Sequence, residues 1–138
     1  MSKTKLLYIE SSSQIQGWVV RLLNKMDCET TQAFTLNAAQ TKIEKDVPLN
    51  IVLLGDLTRP TDQVSGIPNI ELSIIKAIRE RPTYKETKII VFSSADYSTE
   101  ALQDGANAFL AKPAGAVELQ KILRPHLLSA VQESAQQS

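Results

Sequence analysis

Five short apolar runs recur along the chain, and each is followed by a stretch with helical spacing. The runs are "KLLYIE" (5–10), "CETTQAF" (28–34), Ile51 to Leu54, "TKIIVFSS" (87–94) and "NAFLA" (107–111). Ile51 to Leu54 contains no polar residue, so it reads as a strand buried on both faces. Between the runs, Ile15, Trp18, Val19, Leu22, Leu23 and Met26 form the strongest helical stripe, with Ser13 placed to cap it. Residues 36–45 form a short helix by propensity. Residues 70–81 set Ile70, Ile74 and Ile78 on one face with Ile75 beside them. "STEALQD" (98–104) is a helix closed by Gly105, and 116–131 is a last helix that Pro125 must kink or divide. "LTRPTDQVSGIPN", with two prolines and a glycine, is a long loop. Strict alternation of this kind gives βαβ units with right-handed crossovers. The expected class is α/β, a doubly wound, five-stranded parallel sheet in the order 2-1-3-4-5.

The chain of 138 residues suits one domain, with an ordered core over about 4–131 and a polar tail at 132–138. Apolar residues at 43% and charged ones at 22% are the balance of a soluble globular protein. Fifteen basic residues offset 15 acidic ones, which argues against nucleic acid as a partner. A single cysteine, Cys28, excludes an internal disulfide and a cysteine-rich zinc site, and it reads as a buried small hydrophobe. The first apolar run stops at Glu10, too short for a signal peptide or a membrane span. A cytoplasmic protein with no membrane partner is expected.

In sheets of this class, chemistry collects at the carboxyl ends of the strands. There the sequence places Glu10 with a run of serines, Asp56, the pair Ser93 and Ser94, and Lys112. Two acids, hydroxyls and a lysine therefore share one edge.

That set resembles the receiver domain of two-component response regulators, a flavodoxin-like fold, over about residues 4–131. "GANAFLAKP" (105–113) is the most specific element, since receivers carry this pattern with a Lys-Pro bond that is usually cis. "DLTRP" resembles the phosphoacceptor segment, and "IIVFSS" resembles strand 4. The resemblance implies that Asp56 accepts a phosphoryl group from a sensor histidine kinase or a phosphotransfer protein. It implies Mg2+ held by Glu10 and Asp56, and Lys112 as a point charge on the phosphoryl oxygens. Ser93 and Phe109 would be the switching hydroxyl and aromatic. The outcome would be altered binding of a downstream protein partner rather than enzymatic turnover, with a homodimer left open.

Departures from the family pattern matter. Receivers end strand 1 with two acids, and here the pair is Glu10-Ser11. A neutral hydroxyl is a poor magnesium ligand, so weak metal binding is expected. Counting back from Pro60 puts Asp56 on the acceptor position. Counting forward from Asn50 puts Gly55 there. A bulge at Gly55 would reconcile the two, and Asp56 is the reading adopted. Ser93 to Gly105 is about three residues short, while the loop after Pro60 has gained about five.

Two alternatives stand beside this. The first is a pseudo-receiver, the same fold binding partners without phosphorylation. The second is a flavin-binding flavodoxin-like protein, using "ESSSQ" as a phosphate loop. That loop lacks a glycine, and the chain has only three Tyr, three Phe and one Trp to flank a ring. A hydrolase has less support, because the one histidine, His126, follows Pro125 away from the active edge as a solvated residue.

Overall fold

The computed structural model describes residues 3–57 and 70–128. The expected long loop falls mostly at 58–69, and it lies outside the described residues together with Pro60 and the tail. Strands and helices alternate as β1 (Thr4–Ile9), α1 (Ser13–Lys25), β2 (Cys28–Ala33), α2 (Leu36–Glu44), β3 (Ile51–Leu54), α3 (Ile70–Arg79), β4 (Lys88–Ser93), α4 (Ser98–Asp104), β5 (Ala108–Ala111) and α5 (Ala116–Leu123). All pairings are parallel and the sheet order is β2-β1-β3-β4-β5, the expected order.

Alternation along the strands divides the interior into two layers. Leu7, Ile9, Val52, Leu54, Ile89 and Val91 pack under α2, α3 and α4, with Ile43 of α2, Ile70, Ile74, Ile75 and Ile78 of α3 and Ala101 of α4 in the same cluster. Leu6, Tyr8, Ile51, Leu53, Ile90 and Phe92 pack on the opposite face against Val19, Leu22 and Leu23 of α1 and Leu119 and Leu123 of α5. The apolar run Ile51–Leu54 is buried on both faces, as a central parallel strand must be.

Several boundaries differ from the sequence expectation. Helix α1 starts at Ser13, and Ser12 is its N-cap, without a side-chain capping bond. The Ser12 N–H instead donates to the Glu10 carboxylate, which takes over the role of a cap. Strand β1 is shifted by one residue, to Thr4–Ile9, which leaves Glu10 in the loop at the edge. Helix α3 ends at Arg79, and the tight turn Pro82–Tyr84 follows. Pro125 does divide the last helix: α5 stops at Leu123 and a 3-10 turn, Arg124–His126, replaces its continuation.

The amino edge of the sheet is tied by Arg79. Its guanidinium donates to the carbonyls of Gly105 (2.9 Å) and Tyr84 (3.1 Å) and to Asn107 Oδ1 (2.9 Å). Asn107 Oδ1 also accepts from the Ile89 N–H at 2.8 Å. Gly105 ends α4 with φ of 119°, and a Cβ there would lie 2.7 Å from Arg79 Cγ, so only glycine fits both demands. Nearby, the fully buried Tyr84 donates its hydroxyl to the Ile43 carbonyl at 2.6 Å, joining the 3-10 turn to α2. Tyr84→Phe should cost about 1–2 kcal/mol through the carbonyl left without its donor. Urea denaturation of the two proteins measures it, and equal midpoints would mean the bond contributes nothing.

Candidate functional site

Two acids, a hydroxyl and a lysine, carried at the ends of β1, β3, β4 and β5, meet at the carboxyl edge of the sheet. The regular ladder between β1 and the strand beside it stops there. Gly55 N–H donates to the Ile9 carbonyl (2.7 Å), and a regular parallel step would then take the Ser11 N–H to the Gly55 carbonyl. Ser11 N–H goes to the Asp56 carbonyl instead, at 3.0 Å. One strand advances two residues while the other advances three, which is a bulge at Gly55–Asp56.

The bulge decides what each side chain can do. Position 55 has no room for one, because a Cβ there would sit 2.0 Å from Glu10 Oε1. Glu10 folds over Gly55 and is buried to 1% exposure. Its Oε1 accepts from the Asp56 N–H (3.1 Å) and from Lys112 Nζ (2.8 Å), and its Oε2 accepts from the Ser12 N–H (3.1 Å). Gln16 reaches back from α1 to hold the Glu10 carbonyl.

Asp56, one residue further on, turns its carboxylate into the pocket. Its Oδ1 accepts from the Ser93 hydroxyl. Its Oδ2 accepts from the Ser94 N–H (3.0 Å), the Ser94 hydroxyl (2.9 Å) and Lys112 Nζ (3.1 Å). Burial by itself would raise the Asp56 pKa. The hydrogen bonds from Ser93, the Ser94 N–H, Lys112 and the Ser94 hydroxyl outweigh it, and the carboxyl titrates below its usual value. Asp56 is therefore an anion at neutral pH.

Lys112 is built in rather than waving in solvent. Its N–H pairs with the Ser93 carbonyl (2.8 Å) at the end of β4, and the Lys112-Pro113 bond is cis. Its side chain is 10% exposed. Its ammonium lies 5.3 Å from the centroid of the Phe92 ring, which Trp18 meets edge-on at 6.0 Å. The pocket thus holds two carboxylates and one ammonium. Tyr8 feels the excess of negative charge: burial raises its pKa first, and Glu10 and Asp56 raise it further.

Glu10, Asp56, Ser93 and Lys112 are thus brought together. Phe109 stands apart from this hydrogen-bonded set and packs edge-on against the buried Tyr97 at 5.2 Å. The Ser11 hydroxyl points the other way, donating to the Phe34 carbonyl at 2.8 Å. His126 is half-buried in its 3-10 turn, less solvated than expected, and burial beside Lys88 lowers its pKa. Cys28 is buried and unpaired, its thiol pushed up to about 11 by burial and then by Asp27. Ser94 and Gly55 were placed at this edge by the sequence, but not given the roles they have here. Ser94 gives Asp56 as many bonds as Ser93 and Lys112 together, and Gly55 makes the space Glu10 fills. The Ser-Ser pair and the Gly-Asp pair were visible, but only the bulge gives them these roles.

A magnesium ion takes hard oxygen ligands in a near-octahedral shell and gives up its waters reluctantly. Here the two carboxylates already satisfy backbone, hydroxyl and ammonium donors at every oxygen. Among the described residues no group of three His, Cys, Asp or Glu is placed to hold a metal. The donors present do not make a dedicated magnesium site. No helix among the described residues is long and apolar enough to cross a membrane.

No family model and no curated protein matches the sequence. Solved structures do match the fold. The chemotaxis protein CheY4 of Vibrio cholerae is similar with a TM-score of 0.73 at 22% identity, over 91% of this chain and 100% of that one. A CheY-like receiver domain protein from Methanospirillum hungatei gives 0.74 at 20% identity, over 96% and 99%. The receiver domain of a Pseudomonas aeruginosa sensor histidine kinase gives 0.69 at 22% identity, over 89% and 96%, and is described with magnesium coordinated in its active site cleft. With the strand order, the two-layer core and these neighbours together, the chain has the fold of the response regulator receiver domain.

Proposed function

We propose that this chain is a cytoplasmic signalling receiver of the two-component type, in which Asp56 accepts a phosphoryl group from a histidine kinase or a phosphotransfer protein. Its product is a changed set of contacts with a downstream protein, so it acts as a binding switch and not as an enzyme with a released product. One observation carries the reading: the Asp56 carboxylate is ionised and faces Lys112 Nζ at 3.1 Å, with the Ser93 hydroxyl on its other oxygen.

The chemistry follows from those groups. A carboxylate oxygen of Asp56 forms a bond to phosphorus as the donor's bond to phosphorus breaks, and the leaving group takes the electron pair. Lys112 offsets charge on the phosphoryl oxygens. The Ser93 hydroxyl, freed from the carboxylate, can donate to a phosphoryl oxygen instead, and that moves the loop after β4. Before transfer, the donors on Asp56 also quiet it as a nucleophile, because one oxygen must shed its bonds to attack.

A second reading is favoured by Glu10. Its carboxylate shares Lys112 with Asp56, so the pocket is net negative and repels a phosphodonor. In that reading the chain binds its partner without phosphorylation. Intact mass after incubation with acetyl phosphate separates the two. The expected result is the mass of one phosphoryl group added to the parent and absent from Asp56→Asn. No gain in the parent, with or without magnesium, leaves the phosphorylation-independent module.

A further inference from the structure

We propose that Lys112 is the resident cation of this pocket, occupying the electrostatic place of a divalent ion, and that the chain takes up no magnesium at millimolar concentration. The inference rests on the receiver reading and extends it by saying which cation offsets part of the charge of its acidic site.

Four observations converge. First, the Lys112 ammonium lies between the two carboxylates, 2.8 Å from Glu10 Oε1 and 3.1 Å from Asp56 Oδ2. Any ion bridging the same oxygens must first displace it. Second, the ammonium cannot drift aside cheaply. Phe92 lies beneath it, the Lys112 N–H is fixed on the Ser93 carbonyl, and the side chain has only 10% exposure through which to leave. Third, the oxygens that Lys112 does not touch are taken by other donors: Glu10 Oε2 by the Ser12 N–H and Asp56 Oδ1 by the Ser93 hydroxyl. Fourth, among the described residues no group of three His, Cys, Asp or Glu is placed to hold a metal. The side chain at position 11 is a hydroxyl, and it is bonded to the Phe34 carbonyl.

The physical comparison favours the ammonium. A magnesium ion entering here would shed tightly held water, expel a paired and largely buried lysine, and gain two carboxylates in return. Lys112 pays none of those terms, because folding has already placed it. The bulge is what allows this arrangement. It lets Glu10 lie over Gly55 and Asp56 stand beside it, so one ammonium reaches both acids.

The consequence for phosphorylation is that its rate from acetyl phosphate should be the same in EDTA and in magnesium. The direct test does not depend on phosphorylation at all. Trp18 is the only tryptophan of the chain, and it touches the ring on which Lys112 rests, so its emission reports on the pocket. The parent protein is titrated with manganese, a paramagnetic quencher, and melted in magnesium and in EDTA. The expected result is no saturable quenching and no shift in melting temperature. Saturable quenching that Glu10→Gln abolishes would overturn the proposal.

Lys112→Met supplies the second arm. With the ammonium gone, the two acids should accept a divalent ion, so this variant should melt higher in magnesium than in EDTA, or fold only in magnesium. A variant that melts at the same temperature in both, or stays unfolded in both, also overturns the proposal. Phosphorylation of the parent with saturable metal binding would sink this inference and leave the receiver reading intact. A silent titration without phosphorylation would do the reverse.

Discussion

Gly55→Ala is expected to destabilise the protein by about 3–5 kcal/mol, although it adds one methyl group. The Cβ would lie 2.0 Å from Glu10 Oε1, 2.9 Å from Glu10 Cδ and 3.1 Å from the Ile9 carbonyl oxygen. The carbonyl belongs to the ladder and cannot retreat. The carboxylate must therefore leave, and leaving breaks its bonds to Lys112, to the Asp56 N–H and to the Ser12 N–H together. Overpacking alone costs about 1–3 kcal/mol, and an acid evicted from a buried ion pair adds the rest. The cause can be isolated with Glu10→Ala. In the double variant the clash partner is gone, while Lys112 keeps Asp56. Gly55→Ala should therefore cost much less in the Glu10→Ala background than in the parent, a coupling of opposite sign to ordinary loss of contacts. Chemical denaturation of all four proteins measures it. Equal costs in the two backgrounds would show that the methyl group offends something other than Glu10.

Lys112→Met is the second large effect, expected to cost about 3–5 kcal/mol near neutral pH. The methionine keeps most of the packing on Phe92 and removes only the charge. Two neighbouring carboxylates, one of them buried, then face each other without a cation. The pH dependence follows from the sign of the Asp56 shift. In the parent its folded pKa is depressed, so the associated stability is whole above the ordinary aspartate value and is lost as pH falls through the folded one. Burial opposes that depression, and bonds from Ser93, the Ser94 N–H, Lys112 and the Ser94 hydroxyl produce it. Removing Lys112 deletes one of these, and Asp56 protonates at higher pH in the variant. The gap between the two proteins should be full near pH 7 and shrink as pH drops toward about 4 and below. Urea midpoints across that range decide it. A gap that stays constant would mean that Lys112 acts through packing alone.

Most of the architecture was legible in residue patterns, for reasons these residues make plain. Ile51–Leu54 could only be a central strand, and the isoleucines of 70–78 could only face a sheet. Strand ends then brought Glu10, Asp56, Ser93 and Lys112 to one edge without further information. Periodicity does not record where a ladder slips. The extra residue between Asn50 and Pro60 was countable, and two registers accounted for it, of which the one with a bulge at Gly55 was preferred. Choosing between them takes the Ser11 N–H bond to the Asp56 carbonyl, a pairing of residues 45 apart in sequence. The role of Gly55 was hidden for the same reason, since it depends on where a glutamate from another strand comes to rest. Ser13 looked like a cap because it is a serine before a helical stripe. The position belongs to Ser12, one residue earlier, and the Glu10 carboxylate accepts from the Ser12 N–H there. Phe109 sits on the expected strand, but which neighbour it meets was settled by Tyr97, a residue the strand pattern does not single out.

The Arg79 bonds and the pocket bonds have no residue in common. They hold opposite ends of β4, where Ile89 and Ser93 are separated by about 13 Å of extended chain. Perturbations that far apart, with no shared partner, combine by simple addition. The amino edge is thus a reserve of stability independent of the chemistry at the other end. A substitution that weakens the pocket leaves the bonds at Arg79, Asn107 and Gly105 whole, and one that weakens those bonds leaves untouched how Lys112 divides its charge between two acids.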